Sequence, residues 1–337
     1  MPNINQACTA HLDTIDGATL MAQPLVPIPY IVHSIIPTGL HILSGAPKIG
    51  KSFLVLWLCQ QVALGEAVWS FATEKKTVLY LALEDSRTRI HNRLCDITEY
   101  SSSNIFFATE LKQIGNGLET QIENFVAEHP DTGLVAIDTL QKVRRVTNEN
   151  AYGADYRDLG LLKGLADKLG IAILLVHHTR KQPDENPMNT ISGTTGITGA
   201  VDGAFVLMRD AHSPTSAVLH CSGRDIESRE LELRFDRGTC VWELVRDRTD
   251  ATEVRNDIIS VVCGYVREVR HFRGSATELA AAIKARTSID PAANTVSRQL
   301  NKHQAHLQSI GITYRMLKSN GVKSIELTTQ GVDGGGD

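Results

Sequence analysis

The chain has 337 residues, 42% hydrophobic and 21% charged, with a formal net charge of −4, an ordinary composition for a soluble globular protein of about two domains. No apolar run approaches the roughly 18 residues of a membrane span, and residues 1–20 lack a basic start followed by an apolar core, so the expectation is a cytoplasmic protein with no membrane partner. The six cysteines (Cys8, Cys59, Cys95, Cys221, Cys240 and Cys263) form no C-x-x-C pair, which argues against a disulfide framework or zinc knuckle and for free, mostly buried thiols.

Residues 1–24 are polar without a sustained period and read as a flexible segment. The proline-bearing stretch PLVPIPYIVHSIIPTG that follows reads as an extended apolar arm laid over a core, either its own or a neighbouring copy's. Then His41 to Ser52, HILSGAPKIGKS, matches G-x-x-x-x-G-K-[ST] between a short strand and an apolar helix. In that context a phosphate-binding loop outweighs a plain turn. The loop of Gly45, Ala46, Pro47, Lys48, Ile49 and Gly50 would wrap ATP phosphates, its glycines letting the backbone N–H groups other than at Pro47 reach them, Lys51 would reach the β- and γ-phosphates, and Ser52 would hold Mg²⁺.

Thr77–Leu83 is a continuous apolar run of the kind found in covered parallel sheets, and Glu84 and Asp85 stand at its carboxyl end. Ligands bind beyond such strand ends, which favours a functional Glu84; balancing a helix dipole suits Asp85 better. Ile105–Ala108 reads as a strand and Leu118–His129 as an amphipathic helix. Leu134–Ile137 closed by Asp138 has the form of a Walker B strand, whose acid acts through Mg²⁺ and its water. Tyr156–Leu169 is helical, and Ile171–Val176 is a buried strand ending in His177, His178, Thr179 and Arg180. Adjacent strand residues face opposite ways, so one histidine sensing the γ-phosphate is favoured over a metal pair.

Lys181–Asn189 is polar loop, and ISGTTGITGAVD reads as a mobile loop, left open between a nucleic-acid contact and a long connection. Strands follow at Gly203–Met208 and Ala217–Cys221, the latter running into Ser222, Gly223, Arg224 and Asp225. Glu230–Phe235 and Cys240–Leu244 then form a hairpin. Past Asp250 the sign of the charge changes: Glu253–Gln330 carries eleven Lys and Arg against six Asp and Glu, or +5, suggestive of nucleic acid. Its helices are expected at Glu253–Val269, at Ala276–Lys284 capped by Ser275, and at Ala292–Leu307 opened by Pro291. A hairpin of Ile312–Leu317 and Val322–Thr328 completes a winged-helix pattern. Arg298, Lys302 and His303 share one face of the third helix, with Arg315, Lys318 and Lys323 around the wing, as duplex contact requires. The same face would also serve as a solvated surface on a partner-binding module. Gly331–Asp337 reads as a disordered tail.

The series GAPKIGKS, YLALED, LVAIDT, LLVHHTRK, SGTTGITGAVD and SGRD resembles, in that order, the RecA-like ATPases related to plasmid RepA-type hexameric replicative helicases and, more distantly, DnaB-type helicases. The resemblance covers about residues 25–246. It implies an α/β RecA-like P-loop core with a mainly parallel sheet (25–250), to which a winged-helix domain (251–330) is added. It further implies Glu84 as the catalytic glutamate, Asp138 as the Walker B acid, His178 as the phosphate sensor, and ATP and Mg²⁺ as cofactors. A homo-oligomeric ring, a hexamer, acting on single-stranded and duplex DNA is also implied. In DnaB-type enzymes a K-x-R pattern reaches the neighbour's nucleotide; Arg224 matches its arginine, Ser222 replaces its lysine, and Arg209 competes as the arginine finger. Arg180–Thr198 falls where the family carries its single-stranded DNA loops, with Arg180 and Lys181 as its basic residues. The implied activity is an ATP-driven replicative helicase of a plasmid, phage or integrated element. A RecA-like recombination or regulatory ATPase that does not unwind, and an ATP-switched winged-helix regulator, remain alternatives.

Overall fold

The computed structural model describes residues 14–23, 28–144, 151–180, 182, 184–193, 195–210, 213–248, 252–287, 289–319 and 322–329. In chain order the elements are α1 (Gly17–Ala22), β1 (Tyr30–Val32), β2 (Ile36–Pro37), β3 (Gly39–Gly45), α2 (Lys51–Leu64), β4 (Thr77–Ala82), α3 (Arg87–Ile97), β5 (Ile105–Ala108), α4 (Leu118–Glu128), β6 (Thr132–Asp138), α5 (Leu140–Val143) and α6 (Ala151–Leu169). There follow β7 (Ala172–His178), a 3₁₀ turn (Pro187–Thr190), α7 (Thr195–Ala200), β8 (Gly203–Arg209), β9 (Ser216–Gly223), β10 (Arg229–Asp236) and β11 (Val241–Arg248). The chain ends in α8 (Thr252–Val269), β12 (His271–Gly274), α9 (Ala276–Lys284), α10 (Ala293–Lys302), α11 (Gln304–Ser309), β13 (Ile312–Ser319) and β14 (Val322–Thr329). Among the described residues no helix is long and apolar enough to cross a membrane. Their five cysteines are free, with Cys59, Cys221 and Cys263 buried and Cys95 exposed.

Two compact units divide the chain: Met1–Ile42, Ser52–His177 and Gly193–Gly203 form one, and Leu43–Lys51, His178–Ser192 and Ala204–Asp337 the other. Within the first unit the strand order is β7-β6-β4-β5, and within the second β11-β10-β9-β8. In the first unit β4, β5, β6 and β7 pair in parallel. Every residue of β4 and β6 is buried, because β-branched and apolar runs without alternation suit strands covered on both faces. Register places Ala82 opposite Asp138, and Asp138 opposite Val176, so the carboxyl ends of three neighbouring strands are level.

The arm forms β1 and β2, an antiparallel pair whose Ile31, Val32, Ile35 and Ile36 are buried within this chain. Val32 also bridges Thr73. The arm therefore packs on its own unit rather than awaiting a neighbour. Two expectations change. Gly17–Ala22 within the supposedly featureless start is helical, capped by the Asp16 side chain, although none of its residues is buried. Thr195–Ala200, read as part of a mobile loop, is helix α7: Ile197 is fully buried beside α6, and that burial overrides the weak helix preference of Gly and Thr.

In the second unit β9, β10 and β11 pair antiparallel, and β9 alternates buried with half-buried positions, the mark of a sheet covered on one face. Beyond Thr252 a separate core forms from Ile258, Val262 and Val266 of α8, Leu279 and Ile283 of α9, Val296 and Leu300 of α10, and Leu327 of β14. Ser275 and Glu278 make a reciprocal capping box at α9. The expected third helix breaks at His303 (φ −104, ψ 21) into α10 and α11, a step that allows Leu307 to enter the core along with Leu300. A strand that alternation did not reveal, β12, pairs with β14 and makes the hairpin a three-stranded sheet. The tail from Gly331 lies outside the described residues.

Candidate functional site

In the second unit the loop from Gly45 to Lys51 is closely fitted. Gly50 has φ +104, and a Cβ there would lie 3.0 Å from Trp242 Nε1; a Cβ on Gly45 would lie 2.9 Å from the Leu207 carbonyl oxygen. Both positions require glycine, for backbone conformation at one and for close approach at both. Trp242 is buried and its indole N–H donates to the Gly50 carbonyl at 3.4 Å. Lys48 also has a positive φ, and Ile49 N–H closes the turn onto the Ala46 carbonyl. Lys51 is 6% exposed. Its ammonium donates to the carbonyls of Gly45 at 2.8 Å and Ala46 at 3.0 Å and faces His178 Nδ1 at 3.4 Å. An ammonium only donates, so Nδ1 accepts and a neutral His178 ring carries its proton on Nε2. His178 closes β7, while His177 is buried, in keeping with strand alternation.

A cleft of about 310 Å³ opens beside the loop, lined by Ala46, Pro47, Ile49, Thr179, Arg180 and Arg209. Arg180 is paired with Asp184 at 2.9 Å. The segment beyond it is folded back by hydrogen bonds from Arg180 N–H to the Thr190 carbonyl and from Ser192 N–H to the His178 carbonyl. Lys181 lies outside the described residues. Arg224 is exposed in the bend after β9.

The first unit holds the hydroxyl and the carboxylates. Ser52, which follows Lys51 on α2, acts on the Asp138 carboxyl and draws its pKa down. Asp138 is 5% exposed and accepts from the Tyr80 hydroxyl at 2.9 Å. Burial pushes its carboxyl above the usual aspartate range; Ser52 and the bond from Tyr80 oppose this, and the charges of Asp85 and Glu84 add to it. The next peptide bond, Asp138–Thr139, is cis. Thr139 Oγ1 donates to Glu84 Oε1 at 3.2 Å, so the side chains at the ends of β4 and β6 are joined. Asp85 turns to α3, where it pairs with Arg89 at 3.2 Å and with Arg93. The two acids thus have separate surroundings.

A polyphosphate and Mg²⁺ fit what is present. The glycines keep the loop backbone bare of side chains where it is tightly packed, a 14-residue helix starts at Lys51, and a serine hydroxyl with a carboxylate is the hard-oxygen donor set that Mg²⁺ takes. Sequence reasoning missed Tyr80, Thr139 and Trp242. Tyr80 had a signal: a phenol inside the aliphatic run TVLYLAL needs a polar partner when buried. In the C-terminal core, Arg298 is exposed on α10; Lys302 ends that helix and its side chain lies outside the described residues.

Among solved structures the chain is similar to an ATPase domain, with a TM-score of 0.53 and 14% identity over 62% of this chain and 85% of that one. It is also similar to a DnaB-like replicative helicase, with a TM-score of 0.52 and 14% identity over 61% of this chain and 57% of that one. At such identities the likeness concerns the fold, a RecA-like P-loop core. Residues 8–184 match the model of the AAA domain family. That stretch takes in the glycine loop, Glu84, Asp138 and His178, more than half of the chain, and the protein belongs to the AAA domain family.

Proposed function

We propose that the protein hydrolyses ATP and uses the cycle to move on DNA, as a replicative-helicase-type motor of a plasmid, phage or integrated element working as a homo-oligomeric ring, a hexamer. The observation that carries this reading is the joining of Glu84 to Thr139, the residue after Asp138, while Asp138 is itself held by the Tyr80 hydroxyl. Lys51 exchanges its carbonyl partners for the β- and γ-phosphate oxygens. Ser52 and Asp138 are the residues that would hold Mg²⁺, which would supply positive charge to the phosphates. Glu84, exposed beyond β4, accepts a proton from the attacking water and orients it, while Thr139 fixes its other oxygen. His178, beside Lys51, senses loss of the γ-phosphate and passes it to the segment ending at Ser192. Arg224 completes the site of the neighbouring copy, with Arg209 as the competing arginine. The part beyond Thr252 is a winged helix that docks duplex DNA through Arg298 on α10 and Lys302, while Arg180 and Lys181 meet single strands.

A second reading, an ATPase that binds DNA without unwinding, is favoured by the Arg180–Asp184 pair, which offsets charge where a single strand would be gripped. A forked-duplex assay separates them. ATP-dependent strand separation, lost in Lys51→Ala, supports the motor. DNA-stimulated hydrolysis with the fork intact at every protein concentration contradicts it.

A further inference from the structure

Two residues proposed for the chemistry, Ser52 and Glu84, are followed in the chain by Phe53 and Asp85, and one side chain holds both of these neighbours. Arg93, on the second turn of α3 and 23% exposed, is bonded to the Asp85 carboxylate, whose side chain is 8% exposed. Its guanidinium carbon lies 5.4 Å from the centroid of the Phe53 ring. A planar guanidinium can pair with a carboxylate through its edge while its face covers a ring, which a lysine ammonium cannot reproduce. The Arg93 charge also reaches Tyr80, the donor to Asp138. Burial and then the Asp138 charge drive the Tyr80 hydroxyl pKa well above the usual range, and Arg93 opposes that rise.

We propose that Arg93 is a positioning residue for ATP hydrolysis, acting through Asp85 and Phe53 to hold Glu84 in place relative to Ser52. This rests on the reading of Glu84 as the residue that orients water. Two further ties hold the β4–α3 junction: Leu83 N–H donates to the Asp138 carbonyl, and Arg89 reaches the Glu84 carbonyl at 3.4 Å. Arg89 supplies an internal contrast. It also pairs with Asp85, four residues earlier in the turn before α3, but it is 60% exposed, and such pairs contribute little. Arg93 joins the turn after β4 to α2 as well as α3, whereas Arg89 reaches only that turn, from an exposed position and with a long bond.

The test measures steady-state ATP turnover and fluorescent-ATP binding on the full chain, with a thermal melt of each variant. Arg93→Met and Asp85→Asn are each expected to lower kcat by about tenfold to a hundredfold, the scale of a small misplacement of a reacting group. The nucleotide Kd should stay within about threefold, and the double variant should be no worse than the singles, since the two act as one unit. Arg93→Lys should recover only part of the loss, and Arg89→Ala should stay within about twofold of wild type. Should Arg93→Met melt near the assay temperature, Asp85→Asn carries the comparison. Loss of kcat in Arg93→Met with Asp85→Asn unaffected would overturn the proposal, because Arg93 would then act on the nucleotide directly. Loss of nucleotide affinity in step with kcat, or turnover that follows the folded fraction, would also overturn it. Wild-type turnover in Glu84→Gln would instead remove the reading of Glu84 on which it rests.

Discussion

The ATPase core and the C-terminal core use charge in opposite ways. In the former, Lys51, Asp138, Asp155, Asp158 and Asp202 are all buried. Each has partners: Arg144 pairs with both Asp155 and Asp158, and Asp202 accepts from Leu40 N–H at 2.9 Å and pairs with Lys163. In the latter no ionisable carboxylate, lysine or arginine among the described residues is buried, and Arg298 and Arg315 are displayed on the surface. Buried charge is costly unless partnered, so each of these groups is held at one fixed place, and of them Asp138 stands at a strand end. Displayed charge costs little and acts at a distance, which suits attraction to a polyanion.

This contrast makes the two regions respond to different perturbations. The largest effect is expected at Lys51. Lys51→Ala should weaken ATP binding and lower turnover together by about a thousandfold, since it removes a charge-assisted contact to the transferring group; calorimetric titration with ATP checks it, and retained micromolar binding would place the phosphates elsewhere. Next is a buried titratable group of the same core. His41 is fully buried with Nε2 2.7 Å from the Pro37 carbonyl oxygen, and burial depresses its pKa from 6.5 to about 4. The folded state therefore binds fewer protons than the unfolded one between those values. Its stability is fully present above about pH 6.5 and falls as the pH drops toward 4, by about 3 kcal/mol. Urea unfolding of wild type and His41→Gln at pH 7 and pH 4 checks the sign: the variant should lose less stability on acidification than wild type. The smallest effect is on the displayed side. Arg298→Ala should reduce the log–log salt slope of duplex binding by about 0.9, one phosphate contact, while DNA-free turnover stays unchanged. An unaltered slope makes α10 a docking face for protein.

Much of the core was legible because its signals are local and covalent. The four fixed positions of the loop, an acid closing each of two apolar runs and a histidine pair at the end of a third can be read without knowing any long-range contact. What could not be read depends on register or burial. Thr139 reaches Glu84 only because β4 and β6 pair with Ala82 level with Asp138. Trp242 comes from a strand 192 residues away from Gly50 in sequence. Helix α7 has loop-like composition and exists because Ile197 is buried. The strand β12 is four residues long with no buried position, so alternation had nothing to display, and the break at His303 follows from packing of Leu300 and Leu307 rather than from any helix-stopping residue.

The division of labour between Lys51, which binds, and Glu84, which turns bound ATP over, is the central claim and can be measured directly in Glu84→Gln. Glutamine keeps the size and can still accept from Thr139, but it cannot take up the proton of an attacking water. ATP affinity and single-turnover hydrolysis, measured on the same preparation, should show a Kd within about threefold of wild type and a hydrolysis rate lower by about a hundredfold or more. Equal losses of affinity and rate, or a rate close to wild type, would contradict the account.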